Sequence, residues 1–392
     1  MQELKGFVFA TAQGGFKYSH RDDIGLIYVP EGAVWAGVFT QNKFPAAPVL
    51  IAKKRLQENS KIKAVLVNAG QANACTGERG IKDCQYTLQL LAKVFSISEK
   101  EIVPASTGVI GEFFDLTKWE KVIDKLKLNL GQADCTDFAK AILTTDRYPK
   151  LIYKEITLQQ QTVPLVGIAK GAGMIAPNMA TMLAFILCDL QIDPLWWQNT
   201  LSEVVDKTFN RISVDGDTST NDTVLALASG KRNLQLSEQD LLLLKQGVYE
   251  LCFELAYLIV QDGEGATKVV RLQVIGATNT KEAEQVARTI SSSLLVKTAF
   301  FGEDPNWGRI VAALGRSGVS FDPDNIKIFL GKQEVFARGI PVLKDIDTFL
   351  QGYMQKKDLE LTIDLGQGRA CYELLFSDLS LDYVQLNGSY RS

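Results

Sequence analysis

Residues 167–186 read GIAKGAGMIAPNMATMLAFI, and this stretch places a glycine-rich turn between two apolar runs. The runs at 162–169 and 182–188 are short and bounded by turn residues, which predicts two buried strands. Between them stand Gly171, Gly173 and Pro177, residues that interrupt regular structure. We therefore expect the chain to turn sharply between two strands near its middle.

Strand and helix patterns alternate outward from this centre. Apolar runs predict further strands at 63–67, 223–228, 268–275 and 359–364. Apolar residues recur at helical spacing over 83–95, and two segments carry residues that typically cap a helix at its first turn, Asp193-Pro194 and Ser237-Glu238-Gln239-Asp240. This alternation predicts an α/β or α+β protein with layered sheets and helices.

The composition argues against several classes of protein. A formal net charge of -3, with acidic and basic residues mixed along the chain, provides no basic stripe for nucleic acid. The apolar runs are too short to cross a bilayer, and residues 1–30 lack the pattern of a secretory signal. Six cysteines without a C-x-x-C pair are typical of reduced thiols in the cytosol. We therefore expect a cytoplasmic protein that binds neither nucleic acid nor membranes.

Histidine is nearly absent, since His20 is the only one and lies in a polar run. A Ser-His-Asp triad or a histidine-rich metal site would have to be built around this residue. We interpret His20 as a surface or loop residue. If the protein is a covalent catalyst, its general base is therefore another group.

The central turn allows two chemical interpretations. In the first, residues 171–176 (GAGMIA) match the G-x-G-x-x-A fingerprint of dinucleotide-binding proteins and follow a predicted strand. The fingerprint should open a helix whose amino terminus faces the pyrophosphate. Here Pro177 and Asn178 follow, and then a predicted strand, so the context disfavours this alternative.

In the second interpretation, Thr181 is a nucleophile at the start of a buried strand. Its hydroxyl attacks the preceding peptide bond, the acyl group moves from nitrogen to oxygen, and water cleaves the ester. The product is an amino-terminal threonine whose amine, with a reference pKa near ~8, can act as the base for its own hydroxyl. The residues alone leave a structural role open, because a threonine that opens a strand is usually structural.

The run from Lys170 to Thr181 (KGAGMIAPNMAT) resembles the cleavage and active-site motif of the ornithine acetyltransferases, also called glutamate N-acetyltransferases. Further segments resemble the same family in the same order, so that the likeness covers nearly the whole chain: 37–40 (GVFT), 68–74 (NAGQANA), 106–111 (STGVIG), 144–146 (TTD), 215–222 (DGDTSTND), 262–268 (DGEGATK) and 304–309 (DPNWGR). The resemblance implies self-cleavage between Ala180 and Thr181 into fragments 1–180 and 181–392. It also implies acetyl transfer from N2-acetyl-L-ornithine to L-glutamate through an acetyl-Thr181 intermediate, in arginine biosynthesis.

The same resemblance assigns roles to other residues. Thr107 and Gly108 match the pair that stabilises the tetrahedral oxyanion, which a hydroxyl and a closely approaching backbone N–H can do. The substrate pocket is implied to contain Thr144, in preference to the adjacent Thr145, together with Lys170, Thr181, Glu264, Asn387 and Ser392. Many relatives end in threonine where this chain ends in serine, which keeps the hydroxyl.

Two of these residues are charged, and we interpret Lys170 as the partner of a substrate carboxylate and Glu264 as the partner of the ornithine ammonium. Without the resemblance, both would be taken for solvated surface charges. On the same basis, Ser106-Thr107-Gly108 would be taken for a plain turn.

The resemblance further implies an αββα layered architecture, similar to that of amino-terminal nucleophile hydrolases but differently connected. It implies that the two fragments stay together and assemble as a heterotetramer, with two copies of each. No cofactor is expected, and acetyl-CoA remains open as a second acetyl donor. The closest alternative function is a self-processed aminopeptidase or amidase that uses water as the acceptor.

The acidic run at 215–222 raises the question of calcium. An EF-hand needs glycine at the sixth position and a bidentate glutamate at the twelfth, where this chain has Thr220 and Ala226. We interpret the run as a loop held by structural hydrogen bonds near the site. No metal is expected.

Overall fold

The computed structural model describes residues 3–58, 61–176 and 182–389. They divide into two compact units. Among the described residues, the first unit contains the chain up to Asn210 together with Asp217–Ile259. The second unit contains Arg211–Gly216 and residues 260–389.

The described residues form fifteen strands: β1 Val8–Ala12, β2 Ile24–Phe39, β3 Lys61–Gln71, β4 Ile102–Val109, β5 Lys150–Leu158, β6 Gln161–Lys170, β7 Leu183–Leu190, β8 Ile212–Ser213, β9 Thr223–Arg232, β10 Val269–Ala277, β11 Lys327–Leu330, β12 Gln333–Ala337, β13 Ile340–Pro341, β14 Asp358–Asp364 and β15 Ala370–Ser377. The same residues form eleven α-helices: α1 Ala47–Glu58, α2 Gly77–Phe95, α3 Leu116–Leu128, α4 Cys135–Ala141, α5 Pro194–Lys207, α6 Glu238–Gln261, α7 Thr280–Ser291, α8 Leu294–Phe301, α9 Trp307–Gly315, α10 Ile346–Met354 and α11 Leu381–Ser389. The expectation of an α/β protein with layered sheets and helices is confirmed.

The first unit is built on a mixed sheet with the strand order β4-β3-β2-β9-β7-β6-β5, and β1 pairs with β2 beside it. Strands β6 and β7, which flank the central turn, are antiparallel neighbours, with Lys170 opposite Leu183. On its other edge β7 pairs with β9 in parallel, with Leu183 opposite Thr223. In this sheet β7 and β9, which follow Thr181 in the sequence, therefore lie between β6 and β2, which precede it.

Burial explains why the sequence shows these strands as continuous apolar runs. In β3, Val65 and Val67 belong to one cluster of the core, whereas Ala64 and Leu66 belong to another. Because alternate residues of a strand point to opposite faces, β3 is covered on both faces. Every residue of β7 is likewise buried.

The helices begin where the capping residues predict. Asp193 accepts a hydrogen bond from the N–H of Trp196 at 2.8 Å, and Pro194 is the first residue of α5. Ser237 and Asp240 cap the first turn of α6 reciprocally, because the Ser237 hydroxyl accepts from Asp240 N and the Asp240 carboxylate accepts from Ser237 N. The helix predicted at 83–95 is α2, which begins six residues earlier at Gly77. No helix in the described part of the chain is long and apolar enough to cross a membrane.

The second unit has its own sheet, with the strand order β13-β12-β11-β14-β10-β15-β8. Strand β10 lies inside this sheet and pairs with β14 in parallel and with β15 antiparallel. The core of this unit includes Val274 and Leu374 from the sheet and Val286 and Ile290 from α7. The apolar runs at 268–275 and 359–364 thus correspond to β10 and β14, as predicted.

Candidate active site

Lys170 lies at the carboxyl end of β6, where the strand enters the glycine-rich turn. Its side chain is buried, and the residue is only 1% exposed. The ammonium group donates a hydrogen bond to Thr144 Oγ1 at 2.7 Å and another to Thr107 Oγ1 at 3.0 Å. Taking Lys170 for a surface charge is therefore wrong, and the structure brings three of the residues expected at the site into direct contact.

This contact requires a curved sheet. Thr107 is on β4 and Lys170 is on β6, and four strands separate β4 from β6 in the sheet. In a flat sheet that separation would be roughly 24 Å, since neighbouring strands lie about 4.8 Å apart. The sheet must therefore bend so that the ends of β4 and β6 approach each other.

Asp146 connects the site to the backbone around it. Its Oδ1 accepts from Lys150 Nζ at 2.7 Å and from Gly171 N at 2.6 Å, and its Oδ2 accepts from Thr144 N at 3.1 Å. Lys170 Nζ is 3.9 Å from Oδ2. Burial raises the pKa of this carboxyl, but the attraction of Lys170 and Lys150 and the hydrogen bonds outweigh it and hold the pKa well below its usual range.

No individual role was predicted from the sequence for Asp146 or for Lys150. Asp146 belongs to the 144–146 motif, so a signal was present, whereas Lys150 reads as an ordinary strand residue. The side chains of Asp146 and Lys150 are both fully buried. With Lys170, they place two ammonium groups against one carboxylate, and the surplus positive charge suits the binding of an anion.

Gly108 has no room for a side chain. Its φ is +133°, and a Cβ would lie 2.1 Å from the carbonyl carbon of Gly70 on the neighbouring strand β3. Only glycine permits this φ and this approach of the two backbones. Thr107, the preceding residue, is 3% exposed and accepts its hydrogen bond from Lys170, which leaves its own hydroxyl hydrogen available to another acceptor.

The segment before β9 ties these strand ends together. Asn221 Nδ2 donates to the carbonyl of Ala72 at 2.7 Å and to that of Ser106 at 2.9 Å. The Thr40 hydroxyl donates to the carbonyl of Ser219 at 2.7 Å. The interpretation of 215–222 as a loop held by structural hydrogen bonds is confirmed.

Asp222 ends this segment and contacts the start of β7. Its Oδ1 accepts from the backbone N–H of Met182 at 3.0 Å, and the residue has no exposed surface. Its Oδ2 is buried and forms no hydrogen bond with the described residues. Burial raises the pKa of this carboxyl well above its usual range, because the Met182 N–H, the Thr40 and Ser219 hydroxyls and the charge of Lys170 only partly compensate for it. No individual role was predicted from the sequence for Asp222 either.

Two expected site residues lie in the second unit. Glu264 follows α6 and Asn387 is on α11, and Asn387 Nδ2 donates to Glu264 Oε2 at 2.8 Å. The structure therefore brings these two into contact with each other. Ala180, Thr181 and Ser392 lie outside the described residues.

The other expectations concern histidine, metals and dinucleotides. His20 is exposed in a loop, as predicted. Within residues 3–58, 61–176 and 182–389, no group of His, Cys, Asp or Glu side chains could hold a metal ion. Residues 171–176 are not helical, and the next described element is β7. The dinucleotide alternative requires a helix that opens at the glycines, so it is not favoured.

Comparison with known proteins matches the chain to one family model and to relatives that share one name. The model of the ArgJ family matches residues 8–392. The arginine biosynthesis bifunctional protein ArgJ of Nitratidesulfovibrio vulgaris is 50% identical over 388 residues, covering 99% of each chain. The protein of the same name from Desulfotalea psychrophila is 44% identical over 398 residues, covering 100% of each chain.

Solved structures give matches to parts of the chain. One chain of the arginine biosynthesis bifunctional protein of Bacillus halodurans is 37% identical, with a TM-score of 0.49, and the match covers 52% of this chain and 96% of that one. A chain of the ornithine acetyltransferase of Mycobacterium tuberculosis, complexed with ornithine, is 29% identical, with a TM-score of 0.38, and covers 44% of this chain and 92% of that one.

Proposed function

The chain belongs to the ArgJ family and is thus an acyltransferase of arginine biosynthesis, and we propose that Thr181 carries the acetyl group after the chain has cleaved itself before this residue. The donor is N2-acetyl-L-ornithine and the acceptor is L-glutamate. The observation that carries this proposal is the pair of hydrogen bonds from Lys170 to Thr107 and Thr144.

Self-cleavage makes the nucleophile. The Thr181 hydroxyl attacks the carbonyl carbon of Ala180, the C–N bond breaks, and the acyl group passes to the hydroxyl oxygen as an ester. The nitrogen of Thr181 takes up a proton as it leaves. Water then hydrolyses the ester, which yields the carboxylate of Ala180 and a free hydroxyl and amine on Thr181.

Acetyl transfer then proceeds in two half-reactions. The amine of Thr181 accepts the hydroxyl proton as the oxygen attacks the acetyl carbonyl of acetylornithine, and it returns the proton to the departing ornithine nitrogen. Glutamate next attacks the acetyl ester with its α-amine and leaves as N-acetylglutamate. Both tetrahedral intermediates bear an oxyanion, which the Thr107 hydroxyl and the Gly108 N–H stabilise.

Lys170 prepares Thr107 for this role. An ammonium group can only donate hydrogen bonds, so Thr107 and Thr144 must both accept from it. Each hydroxyl therefore keeps its own hydrogen for a different acceptor. We assign that acceptor to the oxyanion at Thr107 and to the substrate at Thr144. The positive charge of Lys170 supports an oxyanion and the carboxylate that both substrates bear.

The remaining substrate contacts are assigned to Glu264, Asn387 and Ser392. Glu264 suits the side-chain ammonium of ornithine, because a carboxylate accepts hydrogen bonds from an ammonium group. Its hydrogen bond with Asn387 supports a fixed orientation of the carboxylate. The serine hydroxyl of Ser392 is assigned a hydrogen bond to the substrate.

The two fragments, 1–180 and 181–392, remain one folded molecule. Strands β7 and β9 of the second fragment lie between β6 and β2 of the first, which supports this conclusion. Two copies of each fragment form a heterotetramer in the cytoplasm, where a reducing environment suits six free cysteines. Exchange of an acetyl group between oxygen and nitrogen involves no redox step, so we assign no cofactor. The relatives are named bifunctional, which supports acetyl-CoA as a second donor.

The first experiment tests self-cleavage. We expect purified protein to separate under denaturing conditions into fragments of 180 and 212 residues, since the chain has 392. Amino-terminal sequencing of the larger fragment should begin Thr181-Met182-Leu183. Thr181→Ala should remain uncut and inactive. A single uncut band from active enzyme would rule out the proposed nucleophile.

The second experiment tests the acetyl ester. Initial rates at varied acetylornithine and glutamate should give parallel double-reciprocal lines, because ornithine leaves before glutamate reacts. Acetylornithine alone should add the mass of one acetyl group to the larger fragment. Intersecting lines with no acetylated fragment after a rapid quench would contradict the mechanism. Continuous release of acetate without glutamate would instead identify an amidase.

A further inference from the structure

We propose that Asp222, as the neutral carboxylic acid, is a positioning residue for Thr181: it holds the backbone directly after the cleavage bond and keeps negative charge away from the new amine. This inference rests on the proposed self-cleavage at Ala180–Thr181. Asp222 belongs to the motif at 215–222, for which the proposed function leaves no chemical role.

The first observation is the hydrogen bond between Asp222 Oδ1 and the backbone N–H of Met182 at 3.0 Å. Met182 is the residue bonded to the carbonyl of Thr181. Leu183 and Thr223 are opposite each other in the ladder of β7 and β9, and Thr223 N donates to the carbonyl of Met182 at 3.1 Å. The Asp222 carboxyl therefore extends the pairing of these two strands by one more bond, toward the cleavage site.

The second observation concerns charge. Asp222 has no exposed surface, and its Oδ2 forms no hydrogen bond with the described residues. The Thr40 and Ser219 hydroxyls lie beside the carboxyl and lower its pKa, as the Met182 N–H does, but burial outweighs them. The charged group that faces it is Lys170, whose ammonium is bound to Thr107 and Thr144. An ionised carboxyl would be poorly compensated here, and its pKa is raised accordingly.

The charge of Asp222 matters because covalent geometry keeps the amine of Thr181 close to its carboxyl group. Successive backbone nitrogens are at most about 3.7 Å apart, so the amine of Thr181 lies within about 7 Å of Asp222 Oδ1 whatever its conformation. A carboxylate at that range would stabilise the ammonium form and raise the pKa of the amine. The amine would then be protonated at neutral pH and could not accept the hydroxyl proton. A neutral acid gives the same hydrogen bond to Met182 without this effect.

Asp222→Asn separates these roles from a general contribution to folding. The amide keeps an acceptor oxygen for Met182 N–H and is neutral at every pH, so it reproduces the proposed state. Asp222→Leu removes the acceptor. Asp189→Asn is the matched control, because Asp189 is a fully buried aspartate at the far end of β7, paired with Arg232 and remote from the cleavage bond.

Self-cleavage of the full chain is followed by pulse-labelled cell-free synthesis of each variant. We expect Asp222→Asn and Asp189→Asn to be cleaved at the wild-type rate, and Asp222→Leu to be slowed by about 10²-fold or more, since the backbone next to the reacting bond loses its anchor. Cleavage of soluble Asp222→Leu at the wild-type rate would overturn the positioning role, while the proposed function would stand. An uncut wild-type chain would overturn both.

The charge state is tested by acetyl transfer, and this arm does not depend on the folding of Asp222→Leu. The acidic limb of the kcat–pH profile reports the pKa of the base in the enzyme–substrate complex. We expect this limb to be the same in the wild type and in Asp222→Asn, because both are neutral at residue 222. If Asp222 were ionised, its replacement would remove a negative charge and move the limb down by about one pH unit. That shift, or loss of turnover in a folded and cleaved Asp222→Asn, would overturn the proposal.

Discussion

Replacing Asp146 by asparagine tests the buried charges behind the site. The substitution keeps the shape of the side chain and one acceptor oxygen, but it removes the negative charge that Lys150 and Lys170 share. The Asp146 and Lys150 side chains are fully buried, and that of Lys170 is 2% exposed. Two buried ammonium groups would then lose the carboxylate that they share.

The expected loss is about 3 kcal/mol in the free energy of unfolding, at the lower end of the 3–5 kcal/mol typical of breaking a buried ion pair, because the amide oxygen still accepts hydrogen bonds. The matched control is Glu203→Gln. Glu203 and Lys207 are also four residues apart and 2.8 Å from each other, but their side chains are 43% and 50% exposed. Neutralising an exposed pair of this kind costs at most about 0.5 kcal/mol.

The assay is urea unfolding of variants made in the Thr181→Ala chain, so that a single polypeptide unfolds. Tryptophan fluorescence follows mainly the first unit, because four of the five tryptophans lie in it: Trp35, Trp119, Trp196 and Trp197. Adding Lys150→Met to Asp146→Asn removes one of the two ammonium groups that have lost the shared carboxylate, and it should recover at least about 1 kcal/mol relative to the sum of the single effects. A loss no larger in Asp146→Asn than in Glu203→Gln would refute the account of the site as a charge cluster.

The pH dependence of this loss has a defined sign. Since the pKa of Asp146 is depressed in the folded protein, the carboxylate contributes stability above its unfolded pKa of about 3.9 and loses it as the pH falls. The difference between the wild type and Asp146→Asn should therefore shrink when the pH is lowered from about 6 toward 3.

Three further predictions concern single residues. Thr107→Ala should lower kcat by about 10²- to 10³-fold with little change in KM, while Thr107→Ser should keep most of the activity because it keeps the donor; an unaltered kcat with a raised KM would make Thr107 a binding residue. Gly108→Ala should reduce the yield of folded, self-cleaved protein, because the added Cβ would overlap the backbone of Gly70. If this variant is cleaved to the same extent as the wild type, the close approach of the two strands is contradicted. Burial lowers the pKa of Lys297 from 10.5 to about 8, so the folded state holds this proton less tightly than the unfolded chain. The free energy of unfolding of the wild type, relative to Lys297→Met, should therefore increase by up to about 1.4 kcal/mol per pH unit between pH 8 and 10.5. If urea unfolding shows no pH dependence of this difference, the prediction is wrong.

Much of the fold could be predicted from the sequence because local patterns determine it. The runs at 162–169 and 182–188 are apolar throughout, since β6 and β7 are buried, and the bounds of β7 differ from the prediction by only one or two residues. The caps of α5 and α6 are local as well, because each depends on a side chain within three residues of the helix start. Such features need no knowledge of distant contacts.

The interior of the site could not be predicted in this way. Lys170 looks like a surface charge in its sequence neighbourhood, and its burial depends on a bend that joins β4 to β6 across four other strands. The pairing of Asp146 with Lys150 requires that both side chains be enclosed by elements far away in the chain. For Asp222, the contact with Met182 spans 40 residues. The motifs identify which segments matter, but the burial that sets their charge states is a property of the folded sheet.

The central position of β9 has a consequence for the order of events during synthesis. The chain leaves the ribosome from its amino terminus, so the Ala180–Thr181 bond emerges before the residues that form β9. Until then β7 has only β6 beside it, and Asp222 cannot hold Met182. If cleavage needs this contact, a nascent chain cannot release its first 180 residues early, and a chain truncated before residue 222 keeps the bond intact. Every cleaved molecule has then been synthesised at least as far as Asp222, and the single chain yields the two fragments in equal numbers without any separate control of their amounts.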